Sequence, residues 1–99
     1  MIRTLAAVTV VVVACSGPQQ RVDGVVVAVD GGLSAVVGFE LVTTAGERLA
    51  FVPDPDLDRF DDGAPLSHLT EHLSTGIPVR VVYEERSGVL VAVALSDVP

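Results

Sequence analysis

Short alternating runs of apolar and polar residues fill most of the chain from Val22 onward, and this period of two predicts β-strands. The first run, 25–29, is continuously apolar, whereas 35–43 and 47–52 place apolar side chains on one face and polar or small ones on the other. Turns that contain glycine separate these runs at 30–32 and 45–46. This part of the chain therefore predicts three short strands.

A loop and a single helix interrupt the strand pattern. The stretch 53–65 is rich in proline, aspartate and glycine and predicts a loop. A helix over 65–75 follows, because Pro65 suits a first helical position and three leucines fall on one side of a helical wheel. Gly76 would end this helix. We expect the helix to rest on the leucine stripe, which consists of Leu66, Leu69 and Leu73.

Two more alternating strands, 77–84 and 89–95, follow the helix. The order of three strands, one helix and two strands resembles the OB-fold, a small five-stranded barrel whose helix lies between the third and fourth strands. The resemblance covers residues 22–98 and implies a mainly β protein with one short helix, with Gly24 and Gly38 at the sharp bends of an OB-fold-like barrel of order β-β-β-α-β-β. An open antiparallel sheet with the helix packed on it is the alternative architecture.

The first 16 residues follow a different pattern. Arg3 precedes a nearly uninterrupted apolar run from Leu5 to Ala14, and the chain turns polar at Ser16. A charged start, a short apolar centre and a polar exit form the layout of a secretory signal peptide. The run is shorter than the roughly 20 apolar residues of a membrane-spanning helix. Its β-branched valines and its lack of a polar face also argue against a buried core helix.

The signal ends in Val12-Val13-Ala14-Cys15, which resembles the lipobox of bacterial lipoproteins. The resemblance implies transfer of a diacylglyceryl group to the Cys15 sulfur, cleavage after Ala14, and acylation of the new amino terminus by a chain such as palmitate. It also accounts for the single cysteine, because an unpaired thiol in an exported protein must pair outside the chain, stay free or be modified. We therefore predict a signal peptide, 1–14, a lipidated cysteine with a short tether, 15–21, and a barrel domain, 22–99. An uncleaved signal anchor and a plainly secreted form are the alternatives.

The net charge of the chain disfavours some classes of binding partner. The chain has 13 acidic residues and 6 basic ones, all of them arginine, and its net charge is -7. Without a basic stripe, binding to nucleic acid is disfavoured. Cleavage after Ala14 would remove one arginine and shift the charge from -7 to -8, so anionic headgroups would repel the mature domain. We expect a protein held in the bilayer by its lipid at Cys15, at the cell membrane or outer membrane, on the extracytoplasmic side.

The predicted helix carries the two histidines of the chain, His68 and His72, at a spacing that can share a metal ion. The zinc-protease motif places a glutamate directly after its first histidine, whereas Glu71 directly precedes the second one here. Both histidines lie beside the leucine stripe on the helical wheel, so we interpret them as boundary residues where the helix meets the barrel. No cofactor or metal site is predicted, and the pair is retained only as alternative metal ligands.

A second candidate is the acidic loop, which we define as residues 54–62. Its five aspartates suggest a cation site, because calcium takes six to eight oxygen ligands. The EF-hand pattern is not matched, since Arg59 stands where a sharp turn needs glycine and Pro65 stands where a glutamate should close the loop. A solvated acidic surface is the preferred interpretation. The alternative function is a calcium-type binding module whose ligands are Asp54, Asp56 and Asp58, alone or with His68 and His72.

The remaining candidate functional residues are one aromatic side chain and two serines. Phe60, inside the acidic loop, is the one aromatic side chain that the pattern leaves free for a partner, although we favour a role as a lid over the barrel end. Ser67 and Ser74 lack the nucleophile elbow and paired base of catalytic motifs, so we predict no enzymatic activity. The expected function is a non-catalytic envelope lipoprotein that binds another envelope protein or a small ligand.

Overall fold

The computed structural model describes residues 17–31 and 35–98, so the predicted signal peptide and Cys15 lie outside the described residues. Between β3 and β4, a 3₁₀ turn, Leu66–His68, runs directly into helix α1, Leu69–Thr75. No helix within these two ranges is long and apolar enough to cross a bilayer. The strands are β1, Gln20–Gly31; β2, Val36–Thr43; β3, Arg48–Pro53; β4, Val79–Arg86; and β5, Val89–Asp97.

The five strands form a closed barrel in the order β1-β2-β3-β5-β4, and β4 pairs back onto β1. Neighbouring strands are antiparallel except for β3 and β5, which run parallel. In an open sheet the N–H and C=O groups of the two edge strands would be left unpaired, and closure of the barrel gives them hydrogen-bond partners. The prediction of a mainly β, OB-like barrel with one short helix is confirmed, and the open-sheet alternative is wrong.

Strand β1 closes the barrel because it pairs with two different strands. Its first half lies against β4 and its second half lies against β2, and Gly24 is paired on both sides, with Val79 and with Thr43. A Cβ atom at Gly24 would lie 2.6 Å from the carbonyl oxygen of Val42, which is closer than side chains approach backbone. Only a residue without a side chain therefore fits this close approach of β1 to β2.

The barrel interior is filled by apolar side chains from every strand and from the segment between β3 and β4. Phe51 stacks on Phe39 with ring centroids 5.3 Å apart, and it meets Tyr83 edge to face at 5.0 Å. Full burial of a large side chain contributes roughly 1.5–3 kcal/mol, so this cluster is the main source of stability in a domain of this size. The other core residues are Val26, Leu41, Phe60, Leu69, Val79, Val81, Ala92 and Leu95.

Helix α1 faces the core with a different side from the one that the leucine stripe predicts. Leu69 is fully buried, but Leu66 is half-buried and Leu73 is 41% exposed, whereas His72 is only 4% exposed. The predicted stripe assumed a regular helix from residue 65. Residues 66–68 instead form a 3₁₀ turn, which changes the rotation of Leu66 relative to Leu69. Within α1, His72 and Leu73 lie on opposite sides of Leu69, and the helix is turned so that His72 is on the buried side. The buried face therefore runs through Leu69 and His72.

The amino-terminal boundary of the domain also differs from the prediction. Strand β1 begins at Gln20, two residues before the predicted start, and pairs with Tyr83 there. Gly17 is already attached to the barrel, because its N–H donates to the carbonyl oxygen of Glu85 at 3.0 Å. Gly17, Gln20 and Arg21, which belong to the predicted tether, 15–21, are therefore bound to β4.

Candidate functional site

Three potential metal ligands from distant parts of the chain meet beside α1. His68 ends the 3₁₀ turn, His72 lies within α1, and Asp97 is the last residue of β5. Ligand atoms from all three lie within 4.8 Å of one another. No other such group of three histidine, cysteine or carboxylate side chains occurs within residues 17–31 and 35–98. We call these three residues the His-Asp cluster.

The chain reversal after α1 brings the helix to the end of β5. Gly76 adopts a left-handed conformation with φ of 76°, and its N–H donates to the carbonyl oxygen of His72 at 2.9 Å. This cap ends the helix and turns the chain back. The chain then enters β4, whose first residue, Val79, is paired with Asp97. The last turn of α1 therefore lies beside the end of the β4–β5 ladder.

His72 is the most enclosed member of the cluster, with 4% of its surface exposed. Its Nδ1 lies 2.6 Å from the carbonyl oxygen of Ile77 and must carry a proton, because a carbonyl oxygen can only accept. Its Nε2 lies 2.8 Å from Oδ1 of Asp97. Both ring nitrogens thus face oxygen acceptors. The Nε2 contact is satisfied only by a further proton between nitrogen and carboxylate or by a cation that both of them bind.

Both ring nitrogens of His68, one helical turn before His72, also lie near oxygen atoms. Its Nδ1 lies 3.1 Å from Oε1 of Glu71, and its Nε2 lies 3.4 Å from Oδ1 of Asp97. The His68 side chain is 22% exposed and the Asp97 side chain is 45% exposed, so this half of the cluster is open to solvent. The two Nε2 atoms therefore converge on one carboxylate oxygen.

Phe60 lies against both histidines and not on the surface. Its ring is parallel to that of His72, with centroids 5.8 Å apart, and meets the ring of His68 edge to face at 4.9 Å. It is 1% exposed, so the candidate role of Phe60 as an exposed partner-binding residue is wrong. The physical reason is that the N–H of the next residue, Asp61, donates to the carbonyl oxygen of Leu95 and holds the loop against β5.

The aspartates of the acidic loop do not gather around one point. Asp54 accepts a hydrogen bond from the N–H of Asp56 at 2.8 Å and pairs with Arg86 at 2.7 Å, and these two contacts lower the pKa of its carboxyl group. Asp58 pairs with the adjacent Arg59 at 3.0 Å, which lowers its pKa as well. Asp54, Asp56 and Asp58 are therefore engaged in local turns and ion pairs, and the described structure does not bring them to the two histidines.

An open groove of about 370 Å³ lies between the start of β2, the end of β3 and the 3₁₀ turn. Its walls combine apolar side chains with two carboxylates of the acidic loop. The residues that define it best are Val36, Pro53, Asp54, Leu57, Asp58 and Leu66. The groove is a concave surface that is separate from the His-Asp cluster.

Asp97 is the member of the cluster that sequence reasoning missed. It follows His72 by 25 residues, and the alternation of β5 contains no ligand-like spacing. The signal that could have found it is topological. In a β-β-β-α-β-β barrel the helix leads directly into the fourth strand, and antiparallel pairing returns the end of the fifth strand to that same point. Asp97 is the one acidic residue of β5 and lies at this end.

Comparison with known protein families, with curated proteins and with solved structures finds no match to this chain. The fold class therefore rests on the strand pairing itself.

Proposed function

We propose that this protein is a non-catalytic envelope lipoprotein whose barrel is a binding module for another envelope protein or a small ligand. The observation that carries the proposal is the lipobox-like segment that ends in Cys15, the single cysteine of the chain. A diacylglyceryl group and a further acyl chain on this residue would give stable anchoring, because one chain alone gives only marginal membrane binding.

The position at which the barrel begins supports the anchored arrangement. Only Ser16 separates Cys15 from Gly17, whose N–H is bound to the carbonyl oxygen of Glu85 in β4. An extended chain spans at most about 3.6 Å per residue, so Cys15 would lie within about 7 Å of Gly17. Val79, beside the His-Asp cluster, is six residues or about 20 Å along β4 from Glu85. The anchor and the cluster would therefore occupy opposite ends of this strand.

Fatty-acid labelling tests the anchor. We expect the wild-type protein, produced in a bacterial host with labelled palmitate, to carry the label and to sediment with membranes. The Cys15→Ser variant should lose both properties, because no other residue of the chain has a thiol. A Ser16→Ala variant is the matched control and should be labelled like the wild type. Equal labelling of the wild type and Cys15→Ser, or no label in either, would refute the lipoprotein proposal.

Site-directed photo-crosslinking in native envelopes tests the binding module. One probe replaces Asp58, an exposed residue beside the groove, and a matched probe replaces Glu47, an exposed residue in the turn between β2 and β3. We expect one defined adduct with the probe at Asp58 and none with the probe at Glu47. Adducts that are equally diffuse at both positions, in a protein that also retains no small ligand on purification, would refute binding by this barrel.

A further inference from the structure

We propose that the His-Asp cluster is a binding site for a divalent transition-metal ion of the zinc class, with Nε2 of His68, Nε2 of His72 and Oδ1 of Asp97 as its ligands. The site goes beyond the proposed function and does not depend on lipidation. Its ligands lie at the end of the barrel where α1 meets β5. The inference rests on three features of the geometry, which are the orientation of the rings, the spacing of the ligand atoms and the access from solvent.

Ring orientation is the first feature. The Nδ1 of His72 is hydrogen-bonded to the carbonyl of Ile77, and the Nδ1 of His68 lies 3.1 Å from the carboxylate of Glu71. Histidines that bind metals commonly donate their second ring N–H to a carbonyl or carboxylate, which fixes the tautomer and leaves the other nitrogen free to coordinate. Here the second nitrogen of each ring is Nε2, and the Nε2 atoms of His68 and His72 lie 3.4 and 2.8 Å from the same oxygen of Asp97.

Ligand spacing is the second feature. Zinc binds nitrogen and oxygen ligands at about 2.0–2.2 Å, so two ligands of a tetrahedral site lie about 3.3–3.5 Å apart. The contact between Nε2 of His68 and Oδ1 of Asp97, at 3.4 Å, already has this length. The contact from His72, at 2.8 Å, is shorter by about 0.5 Å. Asp97 can supply this movement, because it is the exposed last residue of its strand.

Ligand chemistry and access decide the class of ion. Two imidazoles and one carboxylate suit zinc, copper, nickel or cobalt, whereas calcium and magnesium prefer sites made only of oxygen ligands. The partly exposed side chains of His68 and Asp97 allow an ion to enter from solvent, while His72 and the ring of Phe60 close the inner side. Three protein ligands leave a fourth position for water or an added ligand.

Metal titrations of the full-length protein test the site, and all samples carry Cys15→Ser so that the thiol contributes no ligand. We expect Co²⁺ to give the visible absorption of a low-coordinate nitrogen and oxygen site and Zn²⁺ to displace it. His68→Asn and Asp97→Asn should each weaken Zn²⁺ binding by roughly tenfold or more, since loss of even an outer partner costs about that much. Asp61→Asn changes an exposed aspartate outside the cluster and should leave the affinity unchanged. Both test variants alter partly exposed side chains, so the fold should survive them.

Nitrogen NMR of the histidine rings separates a metal site from a simple ion pair. Addition of Zn²⁺ should shift the Nε2 signals of both rings, while the Nδ1 signals keep the character of protonated nitrogen. Nε2 signals that stay unchanged at saturating Zn²⁺ would overturn the proposal and leave the cluster as a hydrogen-bonded ion pair. A Zn²⁺ affinity that is equal in the parent, His68→Asn and Asp97→Asn proteins would overturn it too. Because every sample lacks Cys15, neither result depends on the lipid anchor.

Discussion

Gly24 is a single residue on which closure of the barrel depends. It is the point where β1 leaves β4 and joins β2, and its backbone is so close to β2 that a Cβ atom would meet the carbonyl oxygen of Val42 at 2.6 Å. A backbone carbonyl in a paired strand cannot move aside as the tip of a flexible side chain can. A side chain at Gly24 would therefore disturb the pairing of β1 with β2 and with β4 at the same time.

We expect Gly24→Ala to lower the free energy of unfolding by about 2 kcal/mol, within the range of overpacking substitutions in tight cores. Gly17→Ala is the matched control, because the nearest atom to its added Cβ would be 3.9 Å away, an ordinary contact. The control should change stability by less than about 0.5 kcal/mol. Chemical denaturation of both variants measures the difference. Equal stability of the two variants would show that β2 moves freely away from β1.

At the scale of elements, α1 is defined by the face that it buries. Leu69 is fully buried among the core residues, whereas Leu73, one turn later, is 41% exposed. The same substitution at these two positions therefore separates the observed face of the helix from the predicted leucine stripe. Leu69→Ala should cost about 2–5 kcal/mol, because it leaves a cavity in the core. Leu73→Ala should cost no more than about 0.5 kcal/mol, and thermal unfolding of the pair checks both values.

A cost for Leu73→Ala that matched the cost for Leu69→Ala would contradict the observed rotation of the helix. It would mean that the helix rests on the leucine stripe after all. Both substitutions exchange leucine for the strongest helix former, so helix propensity does not separate them.

The ladder between β1 and β4 carries a cross-strand ion pair that makes stability depend on pH. The guanidinium of Arg80 donates two hydrogen bonds to Asp23, at 2.7 and 2.9 Å, and these bonds lower the pKa of the Asp23 carboxyl group. Since its pKa is lower in the folded state, the carboxylate stabilises the fold above its unfolded-state pKa of about 4. This contribution is lost as the pH falls through the folded-state pKa.

We therefore expect Asp23→Asn to melt at a lower temperature than the wild type near neutral pH and to approach the wild type as the pH falls below about 4. Thermal melts across this range measure the difference. The matched control is Asp30→Asn, an exposed aspartate of the same strand for which no ion pair is observed among the described residues. A difference between Asp23→Asn and the wild type that is independent of pH would show that the ion pair does not contribute.

At the scale of the whole molecule, strand pairing among residues 17–31 and 35–98 closes the barrel. The pairing of β1 with β4 begins at Gln20, and the first contact of the described chain with β4 is the hydrogen bond from Gly17 to Glu85. Each of these contacts removes backbone groups from water and fixes the last free edge of the sheet. The folded unit is therefore defined by strand pairing and starts earlier than the apolar pattern indicates.

We expect a protein of residues 17–99 to fold on its own, with the circular dichroism of a β-rich domain and a cooperative thermal transition. A protein of residues 25–99 is the matched control. It lacks all five β1 residues that pair with β4, Gln20–Gly24, so its barrel cannot close and it should not show this transition. Failure of residues 17–99 to fold would mean that the amino-terminal segment belongs to the core. Cooperative folding of residues 25–99 would mean that closure is dispensable.

The sequence by itself determined the order of strands and helix along the chain and the OB-like class of the barrel. These features depend on local periodicity, turn residues and steric limits, which act over a few neighbouring residues. Only the tertiary structure decided which side of α1 is buried, because packing against the barrel places His72, and not Leu73, beside Leu69 on the buried side. It also decided that Phe60 packs against His68 and His72 and that Asp97 meets both histidines. The physical reason is that barrel closure brings together residues that are far apart in the chain. Local sequence patterns do not specify which of these distant side chains come into contact.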